Sequence, residues 1–108
     1  MTTFDEREKA FEAKYKHDQD LRFKVTARRN RLLGLWAAGK MGLSGEAAET
    51  YAKSVVAADF EKPGEQDVID KIVKDLGAKG VTVDAHQVAR EIERLGAIAK
   101  EQLAKESK

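Results

Sequence analysis

A single proline, Pro63, stands in this 108-residue chain. Proline removes a backbone donor and clashes with the preceding helical turn, so a chain with only one is free to run helical on either side of it. Composition pushes the same way, because alanine, leucine, lysine and glutamate are strong helix formers. The one β-branched run, Val81-Thr82-Val83, is too short to build a sheet alone. The chain is therefore expected to be all-α, with helices separated where glycines and the proline fall.

The central stretch runs from Leu21 to Met41 and reads ARRNRLLGLWAA from Ala27 to Ala38. Leu21, Val25, Leu32 and Trp36 recur at helical spacing and are expected to mark its inward face. Gly42 suits a left-handed cap closed by Leu43, and Ser44 suits the N-cap of a second helix from about Gly45 to Glu61. That helix should pack through Ala48, Tyr51, Ala52, Val55, Val56 and Asp59/Phe60, ending before Pro63. Val68, Ile69, Ile72, Val73 and Leu76 give the clearest amphipathic signal, a third helix from about Glu65 to Lys79 capped by Gly80. Asp84 and Gln87 have capping-box spacing, with Val83 and Val88 as a hydrophobic staple. A last helix to about Lys105 should face inward through Val88, Ile92, Leu95, Ala99 and Leu103. The expected fold is a small four-helix bundle over residues 19–108.

Residues 1–18 read differently. Thr3 and Glu6 allow a helix start, and Phe4, Phe11 and Tyr15 lie close to one helical face. That stripe is thin and set among charged side chains, so the segment is expected to be mobile when free and to fold against a partner groove. Charge is uneven along the chain. Residues 1–40 carry ten Lys/Arg against six Asp/Glu and residues 41–108 carry ten against thirteen, although the net formal charge is only +1.

Chemistry is sparse. The absence of cysteine excludes disulfides, thiolate zinc sites and thiol nucleophiles. His17 and His86 have no catalytic spacing, His17 with Asp18 and Asp20 reads as a solvated polar face ahead of a metal site, the glycines form no phosphate-binding loop, and no nucleophile has a base nearby in sequence. No metal, cofactor or enzymatic activity is expected. The start lacks the apolar core of a signal peptide and no stretch has the length of a membrane span, so a cytoplasmic protein without membrane insertion is expected. Two functions remain: a protein-binding regulator, or a small nucleic-acid binder using the basic block Arg22, Lys24, Arg28, Arg29 and Arg31. The near-neutral net charge ranks the nucleic-acid reading second.

The runs MTTFDEREKAFEAKY, ARRNRLLGLWAAGKMG and YAKSVVAADFEKPGEQDVIDKI together resemble the zeta subunit of alphaproteobacterial rotary F-type ATP synthases, a family of small inhibitor proteins. The resemblance implies a bundle, monomeric when free, whose N-terminal segment inhibits ATP hydrolysis by entering a catalytic interface of the synthase head. The partners implied are the large alpha and beta subunits and the central shaft, and the location is cytoplasmic, at the head of the membrane-bound synthase. Carried onto this chain, the segment spans Thr2 to about Asp18. Phe4, Phe11 and Tyr15 are its apolar anchors, Arg7, Lys9 and Lys14 its polar contacts, and Arg28, Arg29 and Arg31 candidate docking residues. Tyr15 stands where the family suggests phenylalanine, and Lys62 and Gln66 make the turn around Pro63 less acidic.

Overall fold

The structure is a computed structural model that describes the backbone of residues 3–106 and the side chains of residues 19–106. It contains four helices: α1 (Thr3–Lys40), α2 (Gly45–Glu61), α3 (Glu65–Ala78) and α4 (Ala85–Glu106), with no strand among the described residues. α1 packs mainly on α2 and α4 and touches α3 less, while α3 joins α2 and α4. The front segment and the central stretch are one unbroken helix. The expectation of a segment mobile when free falls on residues 1–18, whose side chains lie outside the described residues.

The turns follow the local sequence closely. Gly42 sits at φ 80°, where a left-handed residue lets Leu43 N–H donate to the Ala38 carbonyl at 2.8 Å and Gly42 N–H to Gly39 at 3.2 Å. Gly80, at φ 78°, closes α3 the same way, with Val81 N–H on Leu76 at 2.9 Å and Gly80 N–H on Gly77 at 3.0 Å. The capping box forms reciprocally: Gln87 N–H donates to Asp84 Oδ1 at 2.7 Å and Asp84 N–H to Gln87 Oε1 at 3.0 Å. Ser44 is the N-cap of α2 in extended backbone geometry, but its hydroxyl makes no capping hydrogen bond.

The core joins all four helices. Val68, Ile69, Ile72 and Leu76 of α3 and Val88, Ile92, Leu95 and Ala99 of α4 are buried as their spacing requires, and Ala48, Ala52 and Val55 line α2. The inward face of α1 differs from the expected one. Asn30, Leu33, Gly34, Ala37 and Ala38 are its deeply buried residues, a face nearly opposite the stripe of Leu21, Val25, Leu32 and Trp36 at 3.6 residues per turn. Leu21 is exposed, and Leu32 and Trp36 are half-buried flanks of the core.

Close approach is the physical reason. A Cβ built on Gly34 would lie 2.6 Å from the Ala52 Cα, so α1 and α2 meet through glycine and alanine rather than through large side chains. Large residues then fill the space beside the crossing. Trp36 packs at such a flank, with the Lys40 ammonium 5.1 Å from its ring centroid. Phe60 also departs from expectation, turning outward at the end of α2 instead of joining the core.

Candidate partner-binding face and the mount of α1

The polar end of the α1–α2 crossing is built around Asn30, the only buried polar residue among the described ones. Its Nδ2 donates to Asp59 Oδ2 at 2.9 Å. Its Oδ1 accepts from Arg29 Nε at 3.3 Å and Nη2 at 3.1 Å. Asp59 Oδ1 accepts from Gly64 N–H at 3.3 Å, in the turn after Pro63. Every buried side-chain nitrogen and oxygen among the described residues is paired, as burial in a low-dielectric interior demands.

The three arginines singled out in the basic block each reach a different helix. Arg28 donates to both carboxylate oxygens of Glu106 on α4, at 2.9 and 2.8 Å, and to Gln102 Oε1 at 2.8 Å. Arg29 approaches Glu65 at the start of α3 at 3.6 Å, its aliphatic stem 3.6 Å from where a Cβ on Gly96 would sit. Arg31 binds the Glu49 carboxylate of α2 at 2.8 and 3.0 Å. The Arg28 hydrogen bond holds the Glu106 carboxyl below its usual range and raises the guanidinium, burial opposing both. These pairs are solvent-accessible, so each adds little stability alone. Their geometry nonetheless accounts for three of the five cations of the block within the bundle. Phosphate binding along this stretch would have to break them.

A second latch joins α2 and α3. Tyr51 OH donates to Asp75 Oδ2 at 2.8 Å, Lys71 Nζ donates to the same oxygen at 3.0 Å, and that ammonium lies 5.4 Å from the Tyr51 ring centroid. Burial and then the hydrogen bond to Asp75 raise the Tyr51 phenol well above its ordinary value.

Gln19 to Lys24 on α1 are all exposed, and partial burial follows from Val25 onward. Phe4, Arg7, Lys9, Phe11, Lys14 and Tyr15 lie further toward the N-terminus of the same helix, with side chains outside the described set. Where α1 leaves the bundle, Phe23 (59% exposed) and Phe60 (71% exposed) meet edge to face, with centroids 6.1 Å apart and an interplanar angle of 79°. They stand at an open groove of about 830 Å³ between α1, α2 and the end of α4. Sequence reasoning passed over Phe23, which lies off the stripe taken to face inward, and assigned Phe60 to the core. Their signal was an aromatic on each helix left outside the small-residue crossing.

His86 is exposed and His17 lies outside the described set. No cluster of three or more His, Asp or Glu able to hold a metal occurs among the described residues. No described helix is long and apolar enough to cross a membrane.

These features define a small all-helical module that buries the C-terminal half of a long helix and leaves Gln19 to Lys24 of that helix exposed. The family model of ATPase inhibitor subunit zeta matches residues 1–102, and the chain belongs to that family. A protein solved by solution NMR is 45% identical to this chain and superposes with a TM-score of 0.70, covering 80% of this chain and 98% of the other. No curated protein matches. Membership groups the chain with inhibitory subunits of ATP-hydrolysing machinery.

Proposed function

We propose that this protein inhibits ATP hydrolysis by the catalytic head of an F-type ATP synthase, acting as a regulator and not as an enzyme. The N-terminal segment, residues 1–18, enters a catalytic interface between the large alpha and beta subunits near the central shaft. It blocks rotation in the hydrolytic direction while residues 19–108 form the bundle that carries it. Phe4, Phe11 and Tyr15 are the apolar anchors, and Arg7, Lys9 and Lys14 bind polar groups beside them. Arg28, Arg29 and Arg31 serve this function indirectly, by fixing α1 to the other three helices. The site of action is the cytoplasmic head of the membrane-bound synthase.

Family membership supports the inhibitory role, and the observation that carries the mechanism is the length of α1. Its 38 residues span about 57 Å at 1.5 Å per residue, whereas the 22 residues of α4 span about 33 Å. Gln19 to Lys24 are all exposed, so the buried core draws nothing from that part of α1. A helix projected from a rigid mount suits helix-in-groove recognition, because the mount lowers the ordering cost of the part that inserts.

The test is ATP hydrolysis by the purified catalytic head with and without this protein. Dose-dependent inhibition is expected, and it should vanish for a variant beginning at Gln19 that retains its helical circular-dichroism signal. A folded truncated variant that inhibits fully would move the inhibitory surface onto the bundle.

A further inference from the structure

We propose that the groove holding Phe23 and Phe60 is a second docking site, which seats an acidic amphipathic helix of the catalytic head beside the inserting segment. The proposal rests on the inhibitor reading above and adds a contact that it does not contain. The groove floor is apolar, made by Phe23 and Ala27 of α1 and by Val56, Ala57 and Phe60 of α2. Two aromatic side chains more than half exposed, in edge-to-face contact with each other, keep apolar area in water that an occupant would cover.

The rim selects the charge of that occupant. Lys24, Arg28, Arg31 and Lys53 stand on it against Glu61 and Glu106. Arg28 is engaged by Glu106 and Arg31 by Glu49. Lys24 and Lys53, one on each wall, have no carboxylate partner among the described residues. A helix with an apolar ridge flanked by Asp or Glu would place its carboxylates against these two ammonium groups while its ridge covers the rings. A second copy of this chain fits less well. Groove against groove in a two-fold dimer would bring the same lysines together.

Position supplies the link to the head. Phe23 follows the inserting segment, residues 1–18, by five residues, about 8 Å along the same helix. A partner that grips the segment therefore meets the groove next.

The test titrates inhibition of the purified head by the full-length chain and by Phe60→Glu and Lys53→Glu variants, with thermal melts as folding controls. Because Phe60 is 71% exposed, melting should be nearly unchanged. Phe60→Glu should raise the inhibitory constant by about tenfold or more, as loss of an aromatic anchor does, yet still inhibit completely at saturation because residues 1–18 are intact. Lys53→Glu should weaken inhibition several-fold, with a loss that shrinks as salt rises. Wild-type constants for both variants, alongside full inhibition by the unmodified chain, would overturn the groove proposal and leave the inhibitor reading standing. A concentration-dependent dimer in sedimentation, abolished by Phe60→Glu, would overturn it in favour of self-association. Lack of inhibition and binding by the unmodified chain would overturn the inhibitor reading, and the groove proposal with it.

Discussion

Asn30 on α1 donates a 2.9 Å hydrogen bond to Asp59 near the end of α2, and the amide is 1% exposed. Asp59 also accepts from Gly64 N–H, so one pair of side chains sets the register of two helices and the turn between α2 and α3. Truncating either partner strands the other in a poorly solvated place. Asn30→Ala and Asp59→Ala should each lower stability by about 1–3 kcal/mol. Denaturant unfolding of both single variants and the double variant should show strong coupling, the double costing clearly less than the sum. Additive losses would show that the bond does not link the helices energetically.

Gly34 and Gly39 both lie within α1, in opposite circumstances. A Cβ at Gly34 would meet the Ala52 backbone at 2.6 Å, whereas one at Gly39 meets nothing within 4 Å. Gly34→Ala must push α1 and α2 apart and should destabilise by about 1–3 kcal/mol. Gly39→Ala should instead stabilise by roughly 0.5–1 kcal/mol, through helix propensity alone. Thermal melts of the two variants should move in opposite directions.

The raised Tyr51 phenol predicts an alkaline weakness. Burial and the bond to Asp75 favour the neutral form in the folded protein. The folded pKa therefore exceeds the unfolded one, and the contribution is intact below an unfolded value of about 10. Above that pH the unfolded state releases the proton first, so stability falls as pH rises toward the folded pKa. Tyr51→Phe should be less stable at neutral pH, having lost the hydrogen bond, but should show a shallower decline above about pH 10. Parallel pH profiles for the two proteins would contradict the assignment.

Phe11→Ala and Tyr15→Ala should weaken inhibition of the catalytic head while leaving the bundle folded. Truncation of an aromatic anchor at an interface costs about 2 kcal/mol, roughly a thirtyfold loss of affinity. The check is inhibition titrated in parallel with a thermal melt. A drop in melting temperature matching the loss of inhibition would place these rings in the folded core instead.

The candidate site was legible unevenly, for a physical reason. The arginines were visible as a basic block, but a carboxylate 78 residues away, Glu106, takes up Arg28, and no local pattern announces that pairing. Phe23 and Phe60, 37 positions apart in the sequence, become one feature only when α1 and α2 cross. The zeta-family resemblance was carried by continuous words such as ARRNRLLGLWAAGKMG, and the family match over residues 1–102 upholds it.

Local chemistry in the chain determined the helices and their ends. Gly42 and Gly80 supply the left-handed residues of two helix stops, Asp84 and Gln87 write their own capping box, and the spacings in α3 and α4 name their buried residues. Such signals act within a few residues and need no partner. The inward face of α1 was decided only by tertiary structure. Reading by size pointed to Leu32 and Trp36, whereas packing selected Gly34, Ala37 and Ala38, because the backbone of α2 comes close enough at Ala52 to exclude a single methyl group. At a close crossing the smallest residues make the contact and the largest fill its margins, so periodicity shows that α1 is a helix and only the neighbouring helix determines which side of it faces the core.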